Sequence, residues 1–170
     1  GNLGNILDFE NLTKDNIHVL EGPILSNSQF EKFTVFFRNN LKILDCTFDV
    51  QNNLKKRLDQ LCSEAEIAVR EGCKHLILSD KKISEKKAAI PIILAFGAIN
   101  SKLVNLGIRG FVSINVQTGE VLDTHSFAVL LGVGATTINP YLIFDSIYQR
   151  YEKKLFGKFS YEECIQRYIR

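Results

Sequence analysis

Three small groups of residues carry side chains suited to chemistry. Ser79-Asp80-Lys81 closes an apolar run that starts at His75, Glu120 and Asp123 follow a second run, and His125 stands two residues further on. Paired acids at such places can position a substrate amine or a metal ion. Capping, turn formation and docking to another domain call for the same residues. His125 falls in the first turn of an expected helix, where a neutral imidazole can serve as base or donor, or make a structural hydrogen bond. Gly132-Val133-Gly134-Ala135 shares its glycines with phosphate loops. A dinucleotide fingerprint, however, needs a strand before the glycines, a helix after them and a third glycine. Here the order is helix, glycines, strand. His18, His75 and His125 share no metal-ligand spacing, and Cys46, Cys62, Cys73 and Cys164 contain no C-x-x-C pair. No nucleophile is accompanied by a base and an orienting group.

The elements that must hold these residues alternate between strand and helix. Ser26 stands three residues before Gln29, the spacing of a capping box, and predicts a helix from about Ser26 to Phe33. Leu41 to Asp49 reads as a buried strand. Leu54, Leu58, Leu61, Ala65 and Val69 recur at helical spacing, with Asp49 or Asn52 as cap and Gly72 as the stop. His75 to Ser79 suits a central parallel strand, followed by a lysine-rich loop. Pro91 opens a helix from Ile92 to Leu106 that is apolar nearly all round, so cover on several sides is expected, with Gly97 admitting a close neighbour. Phe111 to Val116 alternates at period two. Asp123 caps the helix carrying Phe127 and Leu130, Ala135 to Ile138 forms a fourth strand, and Asn139 with Pro140 starts another helix. Lys153 to Lys158 reads as a linker, and Ser160 with Glu163 forms a second capping box. This order predicts an α/β fold of about four β-α units, as a parallel open sheet or half-barrel.

Composition excludes several classes. The 170 residues suffice for one domain with a sizeable core, preceded by an arm over residues 1–21. A net charge of +2 gives no global attraction for nucleic acid. Lys81, Lys82, Lys86 and Lys87 form the one basic cluster, diluted by Glu85, and read as a solvated loop. No apolar run approaches the ~18 residues of a spanning helix, and no signal peptide is visible, so no membrane partner is expected. Scattered cysteines fit reduced thiols in an intracellular, cytoplasmic compartment, or an organelle in a eukaryote.

Taken together, the motifs carry a family resemblance. Pro23-Ile24-Leu25-Ser26-Asn27, Ala65 to Gly72, Ile77-Leu78-Ser79-Asp80 and Ala89 to Ala98 look like the central domain of the glutamate synthase large subunit. So do Thr118-Gly119-Glu120, His125-Ser126-Phe127-Ala128, and Gly132-Val133-Gly134-Ala135 running to Asn139-Pro140-Tyr141-Leu142. The resemblance implies a non-catalytic α/β connector, like a degenerate FMN-binding barrel, over residues 22–152. It implies that 153–170 is a linker and the start of the following synthase-domain helix. Its partners would be the flanking glutamine amidotransferase and FMN-binding domains of an enzyme forming glutamate from glutamine and 2-oxoglutarate. FMN, an iron–sulfur cluster and NAD(P)H or reduced ferredoxin would belong to that parent enzyme, with no cofactor on this chain. No catalytic, cofactor or metal residue of the family maps here. Asp80, Lys81, Glu120, Asp123 and His125 remain as candidates for docking between domains. The alternative is a small-ligand or phosphate-binding module at the carboxyl edge of the sheet. Lys81 stands where the family shows Arg, and Val133 where it shows Tyr.

Overall fold

The computed structural model describes residues 20 and 22–169. Apart from Leu20, the expected arm over 1–21 lies outside the described residues. Four parallel strands form an open sheet in sequential order: β1 (Leu41–Asp45), β3 (His75–Ser79), β5 (Ser113–Gln117) and β6 (Thr137–Asn139). Sequential order is that of a half-barrel, and the sheet stays open, as the sequence predicts. Ile24 adds a parallel bridge beyond β6, where Ile138 N–H donates to the Pro23 carbonyl and Leu25 N–H to the Ile138 carbonyl.

Five helices have local causes that the sequence shows. α1 (Asn27–Phe36) starts on the predicted capping box, with Gln29 N–H donating to Ser26 Oγ and Ser26 N–H to Gln29 Oε1. α2 (Leu54–Arg70) is capped by Asn53, not by Asp49 or Asn52, and ends at Gly72, whose φ of +94° favours glycine. α4 (Thr124–Gly132) is capped by Asp123. α5 (Tyr141–Glu152) follows Pro140, and α6 (Tyr161–Ile169) follows the Ser160–Glu163 box.

α3 (Ile92–Asn105) departs from expectation. It buries Ile92, Ala95, Phe96, Ile99 and Leu103 along one side, while Ile93, Leu94 and Val104 are exposed. An apolar helix is therefore covered on one face by this chain, not on several. Among the described residues, nothing comes within 4 Å of the position a Gly97 side chain would take.

The Leu41–Asp49 run is not one buried strand. It breaks at Cys46 into β1 and β2 (Thr47–Asp49), and β2 pairs antiparallel with β4 (Lys87–Ala89) inside the region read as a lysine-rich loop. β1 is an edge strand with Ile43 half exposed. β5 and β6 start two residues later than predicted, because Arg109–Phe111 forms a single 3-10 turn and Gly134 to Thr136 a bend into the sheet.

The two faces of the sheet differ. Leu44, Leu78, Val116 and Ile138 align across the strands and pack under α2, α3 and α4 in the main core. The opposite face meets α1, through Leu25, Phe30 and Phe33 against Ile77. α6 lies against α5, and its Tyr168 ring meets Phe127 and Phe144 edge-on.

Candidate functional site

Open α/β sheets bind ligands outside the carboxyl ends of their strands, so that edge is the place to look. The register there lines up Asp45, Ser79, Gln117 and Asn139 in one polar row on the α1 face. Asp45 Oδ1 accepts from Thr47 N–H and Oγ1, and the other three form a directed chain of hydrogen bonds. Ser79 Oγ donates to Gln117 Oε1 (2.8 Å), Gln117 Nε2 to Asn139 Oδ1 (3.1 Å), and Asn139 Nδ2 to Asn27 Oδ1 (2.9 Å). Asn27 Nδ2 ends the chain on the Asp145 carboxylate at 2.9 Å. Asn139 also donates to the Leu25 carbonyl at 3.0 Å, which ties the entry of α1 to β6. One row deeper, Thr137 Oγ1 donates to Asn115 Oδ1 and Asn115 Nδ2 to the Leu76 carbonyl. Buried amides that are all paired in this way stiffen and specify a structure.

Asn139 therefore does not cap α5, as its Asn-Pro context suggests. It is the last strand residue, fully buried, and Pro140 takes the cap position. The signal was available in the alternation of Ser113, Asn115 and Gln117 with Thr137 and Asn139. Its partner Asn27 lies 112 residues away, which no local pattern reveals.

Asp80 is fully buried and organises the loop after β5. Thr118 Oγ1 donates to Asp80 Oδ2 at 2.6 Å, and Gly119 N–H donates to both carboxylate oxygens at 3.2 and 3.0 Å. Glu120 N–H then donates to Thr118 Oγ1, and Glu120 Oε2 accepts from Ile92 N–H at 3.0 Å. α3 starts on Pro91 without a side-chain cap of its own. Glu120 supplies the missing acceptor and places negative charge at the positive end of the helix. Burial and the Asp80 carboxyl push the Tyr141 phenol up to about 12. Lys81 is exposed, with its ammonium 5.8 Å from the centre of the Tyr141 ring. Hydrogen bonds from Ser126 hold the Asp123 carboxyl below its ordinary range. His125 is exposed in the first turn of α4.

The structure thus gathers Asp80, Glu120 and Lys81 around one loop, with Asp123 and His125 continuing it into α4. Little in this arrangement is poised for bond making. The acids serve as hydrogen-bond acceptors for backbone and hydroxyl groups, and burial pushes the Cys46 thiol up to about 12. Gly134 offers its carbonyl to Arg109 and its N–H to the Leu131 carbonyl, so the glycine segment is engaged from within. Among the described residues, no three His, Cys, Asp or Glu side chains stand close enough to hold a metal ion. The acids around this loop are hydrogen-bond acceptors and would repel an FMN phosphate, and among the described residues no cysteine cluster suits an iron–sulfur centre. A shallow hollow lies elsewhere, at the α5–α6 connection between Tyr151, Phe156, Phe159 and Glu163.

Comparison with known proteins decides the family. A family model described as the glutamate synthase central domain matches residues 1–170. The chain belongs to the glutamate synthase central domain family. It is 42% identical over 171 residues to the glutamate synthase (NADPH) large chain of Azospirillum brasilense, covering 99% of this chain and 11% of that protein. The Bacillus subtilis (strain 168) protein of the same name is 37% identical over 146 residues, covering 86% of this chain and 10% of its own. The chloroplastic ferredoxin-dependent glutamate synthase of Spinacia oleracea is 36% identical over 155 residues, 88% of this chain and 10% of that protein. The central domain chain spans about a tenth of the length of these curated relatives. No helix among the described residues is long and apolar enough to cross a membrane.

Proposed function

We propose that this central domain is a non-catalytic connector, packing between the glutamine amidotransferase and FMN-binding synthase domains of a glutamate synthase. The parent enzyme forms glutamate from glutamine and 2-oxoglutarate. FMN, the iron–sulfur cluster and the electron donor, NAD(P)H or reduced ferredoxin, act in the flanking domains, in the cytoplasm or an organelle. One contrast supports this reading. The polar row at the carboxyl edge is closed on itself from Ser79 to Asp145, while large apolar side chains stand exposed at both ends of the sheet. Apolar surface of that kind marks contact with other protein.

In this reading Lys81, Glu120, Asp123 and His125 face a neighbouring domain at the carboxyl end, beside exposed Ile93, Leu94, Leu122 and Leu142. Asp80 acts from beneath by fixing the loop that presents Glu120. Residues 22–152 form the connector body after an arm over 1–21. Residues 153–170 form the linker and the first helix of the synthase domain, seated on the body through Tyr168. Titration calorimetry of the purified chain with FMN, 2-oxoglutarate and glutamate tests the proposal. No binding heat is expected. Micromolar affinity for any of them, lost on substitution around Asp80, would favour the small-ligand or phosphate-binding module instead.

A further inference from the structure

Arg109 sits in the 3-10 turn just before β5, at the amino end of the sheet. Its guanidinium joins three elements. Nε donates to Asn100 Oδ1 on α3 at 2.7 Å, Nη1 to the Val112 carbonyl at 2.7 Å, and Nη2 to the Gly134 carbonyl before β6 at 3.0 Å. All three acceptors are neutral. The ion pairs among the described residues involve Arg57, Arg70, Lys82, Lys87 and Lys102, and none includes Arg109. Burial lowers its pKa, the mark of a cation that has lost water without gaining a counter-charge. Among the described residues three of its five N–H groups find acceptors, which leaves two for a further one.

The residues tied together by Arg109 also bring apolar side chains to the surface. Phe111, two positions on, is 53% exposed; Val133, next to Gly134, is 42% exposed; Val104, one helical turn after Asn100, is 54% exposed. An arginine beside an exposed aromatic ring has the composition of an interface centre, and the two valines extend its apolar rim. A guanidinium fork matches a carboxylate, and its half-buried position strengthens that pairing. The apolar surround selects a protein segment over a free anion.

We propose that the amino end of the sheet, centred on Arg109 and Phe111, is a second docking surface. It receives an acidic side chain flanked by apolar residues, carried by the same glutamate synthase polypeptide outside this domain. This rests on the connector reading and adds a surface opposite the carboxyl edge. The test uses the full-length glutamate synthase that contains this domain, with a photo-crosslinking phenylalanine analogue placed at Phe111 and, separately, at Leu122. Position 111 is expected to capture, within the same chain, a peptide bearing Asp or Glu among apolar residues. Capture of a second copy, of residues 1–170 alone, or of nothing overturns the proposal. If Leu122 captures a neighbour and Phe111 does not, only the amino-end surface fails; if neither does, the connector reading fails as well. The charge of the partner is read by comparing F111E with F111R, both at an exposed position. Protease cleavage at the domain junctions is expected about tenfold faster in F111E, because like charges meet there. Equal rates would overturn the acidic partner.

Discussion

The two faces of the sheet are built from the same four strands by different means. One presents Leu44, Leu78, Val116 and Ile138 to helices, and is held by close packing of apolar volume. The other presents Ser79, Gln117 and Asn139 to α1, and is held by direction: each amide donates to the next until a carboxylate is reached. The first tolerates exchange of one apolar side chain for another of similar volume. The second loses partners on both sides whenever one member changes. The polar face lies where other α/β sheets place a ligand, and here side chains of the chain itself take up its hydrogen bonds.

Four measurements would break or sharpen that contrast. The largest effect is expected on the apolar face. Phe96→Ala removes a fully buried ring from α3 and should cost about 3–5 kcal/mol in denaturant unfolding. A loss below about 1 kcal/mol would mean the main core is loosely packed. On the polar face, Asn139→Ala takes away the partner of Gln117 Nε2, of Asn27 Oδ1 and of the Leu25 carbonyl, and about 2–3 kcal/mol should be lost. The double variant with Asn27→Ala should lose clearly less than the sum of the two singles; additive losses would show that the row does not act as a unit.

A smaller effect belongs to the lid of the polar face. Ser26→Ala removes the capping box of α1 and should cost about 1 kcal/mol, with faster amide exchange confined to the first turn of α1. Exchange rising across β5 instead would make the helix essential to the sheet. The last prediction concerns His75, in the amino row of the same face, its ring packed against Phe33 and Phe37. Burial lowers its pKa from 6.5 to about 4, and Nδ1 has no partner among the described residues. The unfolded chain binds a proton at higher pH than the folded one, so stability is full above 6.5 and declines as pH falls toward about 4. The His75 ring resonances should titrate near 4, and His75→Phe should flatten this part of the stability profile. A folded titration near 6.5 would show the ring in water.

Much of the scaffold was legible because its causes are local. Ser26 with Gln29, Asp123 with Ser126 and Ser160 with Glu163 act within three residues, and each helix began where they stand. The alternation in β5 and the apolar run in β3 reported strands for the same reason. Where two local readings competed, the shorter-range one misled. Asn139 before Pro140 looks like a cap, yet its amide is drawn to Asn27 and Gln117 across the sheet. β2 and β4 have three residues each, too few for periodicity, and their pairing joins segments some forty positions apart in the chain.

The residues alone determined the alternation of the four parallel strands with helices and the starts of α1, α4 and α6, since periodicity, caps and right-handed crossovers operate over one turn or one β-α unit. Only the folded chain decided what the polar residues are for. A carboxylate such as Asp80 reads the same in a sequence whether it awaits a substrate or holds a turn. The difference lies in which donors the sheet register and the loop after β5 bring within three ångströms of it. Distance in space between residues far apart along the chain is set by packing, and packing is a property of the whole molecule.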